Sequence, residues 1–137
     1  MELKRSTIKT MITHAEDILN LEAGSALTNK KLIQIINNKL VYFHEEYSKE
    51  TEHDNEALSG ICLAIGILIG ELVRVTYSVE FVWVHGSTVF GPEELPYLKS
   101  DVIELYPTDW VYKQILYGNE ESIANKLDNL RQQIPLR

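Results

Sequence analysis

Residues 57–75 read ALSGICLAIGILIGELVRV, with polar side chains only at Ser59, Glu71 and Arg74. A helix that is apolar on nearly all sides is a buried helix. Its unbroken apolar-and-glycine run, Gly60 to Gly70, has 11 residues, and crossing a bilayer takes roughly 20. The stretch is therefore expected to be a central core helix with the other elements wrapped around it. At about 100° per residue, Ser59, Cys62, Gly66 and Gly70 fall on one narrow stripe. Glycine inside a helix costs about 1 kcal/mol relative to alanine. A close crossing by another element would compensate for that cost, and a ligand slot is the second reading. Asp54 or Asn55 is a natural N-cap. Glu71, near the C-terminal end, opposes the helix dipole. An i,i+3 pair with Arg74 accounts for it, and a buried functional carboxylate is the alternative.

Working outward, Ile8, Met11, Ile12, Ala15, Ile18 and Leu19 recur at helical spacing over residues 7–21, with Ser6 as the expected N-cap and Gly24 as the stop. A second helix runs from about Asn29 to Tyr47 behind Thr28, and the short connection suggests a helical hairpin. After the core helix, VEFVWVH (Val79–His85) alternates Phe81, Trp83 and His85 against Val82 and Val84. Apolar residues on both faces point to a central strand. Gly86-Ser87 signals a turn, followed by a short strand at Thr88–Phe90. GPEELPYLKS (Gly91–Ser100) reads as a loop, because Pro92 and Pro96 argue against a central strand. DVIELY (Asp101–Tyr106) is the next strand. Pro107-Thr108-Asp109 opens a helix that stops at Gly118. Asn119 is the expected cap of a last helix carrying Ile123, Leu127 and Leu130, closed by Pro135. The order predicts an α+β fold over one domain, residues 1–137: an N-terminal helical hairpin, a buried central helix, a small antiparallel sheet and C-terminal helices.

With 13 basic and 20 acidic residues in 137, the formal charge is −7. That argues against a nucleic-acid binder, whose affinity comes from neutralising phosphates, and suits a basic protein partner. Cys62 is the single cysteine, so no disulfide forms within the chain, which fits a reducing compartment. MELKRSTIKTMITHAED has no apolar h-region, so cytoplasm is the expected location, with no membrane partner.

The four histidines (His14, His44, His53 and His85) are the first candidates for chemistry. His44-Glu45-Glu46 begins like a zincin helix, but position 48 is Ser, not a second His. His44 and His53 read instead as solvated residues in an acidic stretch. His85 stands near Ser87 without a G-x-S-x-G elbow. Cys62 reads as a small hydrophobe, and Trp83 and Trp110 as packing residues. Gly66 and Gly70 lie mid-helix, where the amides are already bonded and cannot cradle phosphate. Neither catalytic residues, a metal nor a cofactor is expected. What remains is EEYSKETEHDNE, residues 45–56, with six carboxylates and one Lys. Glu45, Glu46, Glu50, Glu52 and Asp54 are its candidate partner-binding residues, and Glu93 and Glu94 form a second small cluster. Such charge steers a basic partner and otherwise serves as a solvated face.

Three pieces, ALSGICLAIGILIGELV, VEFVWVHG and DVIELYPTDWVYKQILYGNEESI, resemble a family of small bacterial α+β proteins of unassigned function. In that family a Gly-rich core helix ends in Gly-Glu, followed by a V-W-V strand and a strand–Pro–helix segment. The likeness covers residues of about 55–132. Related small acidic proteins are immunity partners of polymorphic toxins, including contact-dependent growth inhibition systems. The shared motifs are structural, so no catalytic residue is carried over. The resemblance implies a non-enzymatic immunity protein that covers the active site of a cognate toxin domain, a basic nuclease by charge. The alternatives are a small enzyme or ligand-binding domain using a pocket near Glu71 and His85, and a structural or regulatory homo-oligomer. The oligomeric state is left open.

Overall fold

A computed structural model describes residues 2–22, 27–85 and 95–137. Helices α1 (Arg5–Ile18), α2 (Asn29–Lys49) and α3 (Asn55–Thr76) precede strands β1 (Val82–Val84), β2 (Tyr97–Lys99) and β3 (Glu104–Leu105). Helix α4 (Pro107–Tyr117), a 3-10 turn (Gly118–Glu121) and α5 (Ile123–Gln133) complete the chain. The fold is α+β, with helices on both sides of the sheet in sequence.

α3 is the core. The Asp54 side chain accepts from the Ala57 amide at 3.0 Å, the expected N-cap. Every residue from Ala64 to Gly70 is buried, as are Leu58, Cys62 and Val73. By length and composition the helix could cross a membrane, and half of its most apolar window is buried inside the fold. α1 lies against α3, while α4 packs on both α3 and α2. The small-residue stripe is where α4 and β1 come closest to α3. A Cβ on Gly66 would sit 2.6 Å from Thr108 Cα at the mouth of α4, and one on Gly70 would overlap the Trp83 ring. Gly60 has nothing near it and contributes nothing to either crossing.

Trp83, Leu98 and Leu105 stand opposite one another across the antiparallel sheet and are all buried. The central strand is β2, not the Val79–His85 stretch. Pro96 sits one residue before β2 begins, where its missing N–H breaks no ladder bond, so the proline argument against a strand there fails. β1 keeps only Val82–Val84, flanked on its other side by the Leu3 N–H donating to the Trp83 carbonyl at 3.1 Å. DVIELY likewise shortens to Glu104–Leu105. The Ser100 hydroxyl accepts from the Val102 and Ile103 amides and donates to the Ile103 carbonyl at 2.8 Å, forming a turn where the strand was expected. The expected turn at Gly86-Ser87, the strand at Thr88–Phe90, the cluster of Glu93 and Glu94 and the stop at Gly24 lie outside the described residues.

Caps follow the sequence in part. Thr28 accepts from the Lys31 amide, Pro107 opens α4, and Gly118 ends it at φ 81°, where a side chain would be strained. α1 begins behind Lys4 with no side-chain cap, so Ser6 lies inside it. The 3-10 turn moves the cap of α5 from Asn119 to Ser122. α5 is pinned by a buried polar set. Gln114 accepts from the Ile123 amide at 2.9 Å and donates to Asn37 Oδ1 at 3.0 Å, and Ser122 donates to the same oxygen.

Candidate functional site

The acidic run folds into one end of the molecule. Glu45 and Glu46 belong to the last two turns of α2, Glu50 is its C-cap, Glu52 lies in the connection and Asp54 caps α3. Four of these five carboxylates are exposed and Glu46 is half-buried. A groove of about 330 Å³ opens between the two helices at this end. Leu58, Ile61 and Ile115 form its apolar base, Tyr42, Phe43 and Tyr47 its aromatic wall, and Glu46, Glu50 and Asp54 its carboxylates. Glu45 and Glu52 do not line it.

The histidines here are not the solvated residues expected from sequence. His53 stacks on Tyr47 with ring centroids 3.6 Å apart and planes within 7°. Its Nδ1 is buried, makes no hydrogen bond and lies 3.5 Å from Glu50 Oε2. His44 Nδ1 is 2.8 Å from the Ile115 carbonyl; a carbonyl only accepts, so Nδ1 carries the proton. His44 thereby ties α2 to α4, and a Cβ on Gly118 would press on its ring. Lys39 Nζ sits 5.1 Å from the Tyr42 ring centroid and 5.5 Å from that of Phe43. Lys49 Nζ approaches Glu46 at 3.6 Å. Tyr112 stands on this side as well: its phenol is pushed up first by burial, then by neighbours that include Tyr47 and Tyr117.

Glu71, the other candidate carboxylate, is saturated. It accepts from Arg74 at 2.8 Å, as the i,i+3 spacing implied, from Trp83 Nε1 at 3.1 Å, and from Arg5. Burial raises its carboxyl pKa, and these three hydrogen bonds outweigh that, leaving it below the ordinary glutamate value. The group is an ionised acceptor clipping α1 and β1 to α3. His85 is exposed at the end of β1, and neither residue lines the acidic groove or the second groove described next.

That second groove, of about 380 Å³, lies at the far end of α2 and α3, where Asn29 donates to Thr76 Oγ1 at 3.3 Å. Ile33, Leu72, Tyr77 and Leu127 form its apolar lining, with Lys30 and Arg131 beside Asp128. Burial first, then the Asp109 charge, pushes the Cys62 thiol up to about 12, so it is inert. Among the described residues, no group of three or more His, Cys, Asp or Glu could hold a metal ion.

Sequence reasoning found the carboxylates and missed the aromatics. Tyr42, Phe43 and Tyr47 lie within the second helix expected from the sequence, and the pairing of Tyr47 with His53 depends on how the connection after α2 folds back. A dense acidic run with Tyr47 inside it and Tyr42-Phe43 just ahead of it was the available signal.

No family model matches this chain, and no curated protein or solved structure is similar to it at a significant level. The likeness to immunity proteins therefore stands only on the residues quoted for it.

Proposed function

We propose that this chain is a cytoplasmic, non-enzymatic binding protein that neutralises a cognate bacterial toxin domain, a basic nuclease, by covering its active site or nucleic-acid cleft. The observation that carries this reading is the meeting of Glu46, Glu50 and Asp54 with Tyr42, Phe43 and Tyr47 in one groove, with Glu45 and Glu52 exposed nearby. Carboxylates stand in for phosphates and pair with toxin Lys and Arg in charge-assisted hydrogen bonds. Aromatic side chains at the centre of such a patch supply most of the affinity, while the charged rim governs encounter rate.

The test is co-expression with the product of the adjacent reading frame, followed by affinity purification and a growth assay. Expected are a stable complex and restored growth of cells producing the toxin domain. Neither complex nor protection from any neighbouring gene product overturns the reading.

A further inference from the structure

We infer that the groove at the far end of α2 and α3 binds a short aliphatic carboxylate, its chain along the floor and its anionic head at Lys30 and Arg131. The site lies at the opposite end of these helices from the acidic groove and does not depend on the inhibitor reading. Three helices build it. α2 contributes Ile33, α3 contributes Leu72 and Val73, and α5 contributes Leu127, so the floor is branched aliphatic carbon. The polar groups beside that floor bond within the chain. The Tyr77 hydroxyl donates to the Leu127 carbonyl at 3.3 Å, and Asn29 donates to Thr76 Oγ1 at 3.3 Å. The Thr76 carbonyl accepts from the Arg137 amide at 2.9 Å. A ligand that is polar along its length would be stripped of water there without replacement bonds, which is unfavourable. A plain hydrocarbon chain gains from the same burial.

The charges of the lining select the head. Lys30 on α2 and Arg131 on α5 both line the groove and are exposed. Among the described residues neither enters an ion pair, and neither does Asp128, the acid that shares the lining. Two cations against one acid leave one positive charge here, in a chain whose net charge is −7. A monoanion balances that charge. A carboxylate carries one negative charge at neutral pH, whereas a phosphate monoester carries about 1.5–2 and overshoots. Arg131 also offers a planar fork suited to the two oxygens of a carboxylate. The volume, about 380 Å³, is near the lower bound of roughly 300–1,000 Å³ for small-ligand pockets and suits a short chain.

The experiment is a titration of the methyl-labelled full chain with butanoate, hexanoate and octanoate, followed by NMR. Octanol, octylammonium and octyl phosphate serve as controls. The expected result is saturable shifts of the Ile33, Leu72 and Leu127 methyls, with octanoate binding in the millimolar range or tighter. Each two-carbon step should tighten binding about tenfold, as two more methylenes leave water. Octanol should bind about tenfold more weakly than octanoate, and octylammonium more weakly still. A Lys30→Gln/Arg131→Gln variant should weaken octanoate about tenfold and leave octanol unchanged, since charge-assisted bonds are replaced by neutral ones. Both side chains are exposed and outside the ion pairs of the fold, and the spectral dispersion of the variant reports whether it is folded.

Octylammonium binding as tightly as octanoate, or no saturable shift at all, overturns the proposal. So does an affinity that does not grow with chain length, which would mean an adventitious ion only. Octyl phosphate binding more tightly than octanoate would move the head from carboxylate to phosphate and overturn the assignment. Concentration-dependent shifts of the same methyls without probe would give the groove to a second copy of this chain, which overturns it as well.

Discussion

Glu71 shows how much one carboxylate holds in place. Its side chain is 12% exposed, and its partners come from α1, α3 and β1. Glu71→Ala leaves Trp83 Nε1 and two guanidiniums without their acceptor, which should cost about 3 kcal/mol in chemical denaturation. Glu71→Gln keeps an acceptor oxygen and should cost less. The pH dependence follows from the lowered folded-state pKa. The unfolded chain protonates Glu71 near the ordinary value, about 4.3, while the folded chain resists. The stabilisation is therefore complete above that value and is lost as pH falls through the lower folded value. Acid melts of the wild type and Glu71→Gln should converge below the folded pKa; an unchanged gap would show that ionisation is not what stabilises the clip. The pair with Arg74 was legible because it lies on one helix. Trp83 and Arg5 are 12 and 66 residues away, and only tertiary packing brings them in.

Helix α3 carries its own calibration in three glycines. Gly66→Ala forces a methyl onto the Thr108 backbone, and Gly70→Ala forces one into the Trp83 ring. Each should destabilise by about 2–3 kcal/mol as overpacking outweighs the better helix propensity. Gly60→Ala meets nothing and should stabilise by about 0.5–1 kcal/mol. Thermal melts of the three variants decide it, and equal shifts in one direction would mean that the stripe marks no close crossing. The 11-residue apolar run made the core helix legible, and small side chains four apart made its crossings legible. Which elements cross there was not, since no local signal names Thr108 or Trp83. The sheet was misread for a related reason. β1, β2 and β3 have three, three and two residues, too few for alternation to define their ends, and Pro96 lies outside β2. Buried Gln114 leaves no apolar trace at all. Gln114→Ala should cost about 2 kcal/mol by stranding the Ile123 amide and Asn37, with urea denaturation as the measure.

Over the whole molecule the net charge of −7 matters through where it is gathered, and the five carboxylates of the candidate site lie within ten residues that fold into one end. Reversal to Lys at Glu45, Glu46, Glu50 and Glu52 should leave the fold intact, since Glu45, Glu50 and Glu52 are exposed and half-buried Glu46 has only a surface ion pair to Lys49 to lose, and such surface substitutions usually cost under about 0.5 kcal/mol each. Asp54 is excluded, because losing its bond to the Ala57 amide would cost about 1 kcal/mol and confuse association with unfolding. The reversal replaces four negative charges by four positive ones. Complementary charge lifts association above the roughly 10⁵–10⁶ M⁻¹s⁻¹ of neutral encounters, and like charge suppresses it. Association with a basic toxin domain should therefore slow by one or more orders of magnitude. Raising salt from low to physiological strength shortens the screening length to about 8 Å. It should slow the wild type and speed the reversed variant, so that their rates converge. Stopped-flow association at several ionic strengths measures both trends. A reversed variant that associates at the wild-type rate would make the acidic end a solvated face. The cluster of Glu93 and Glu94 would then be the next surface to reverse.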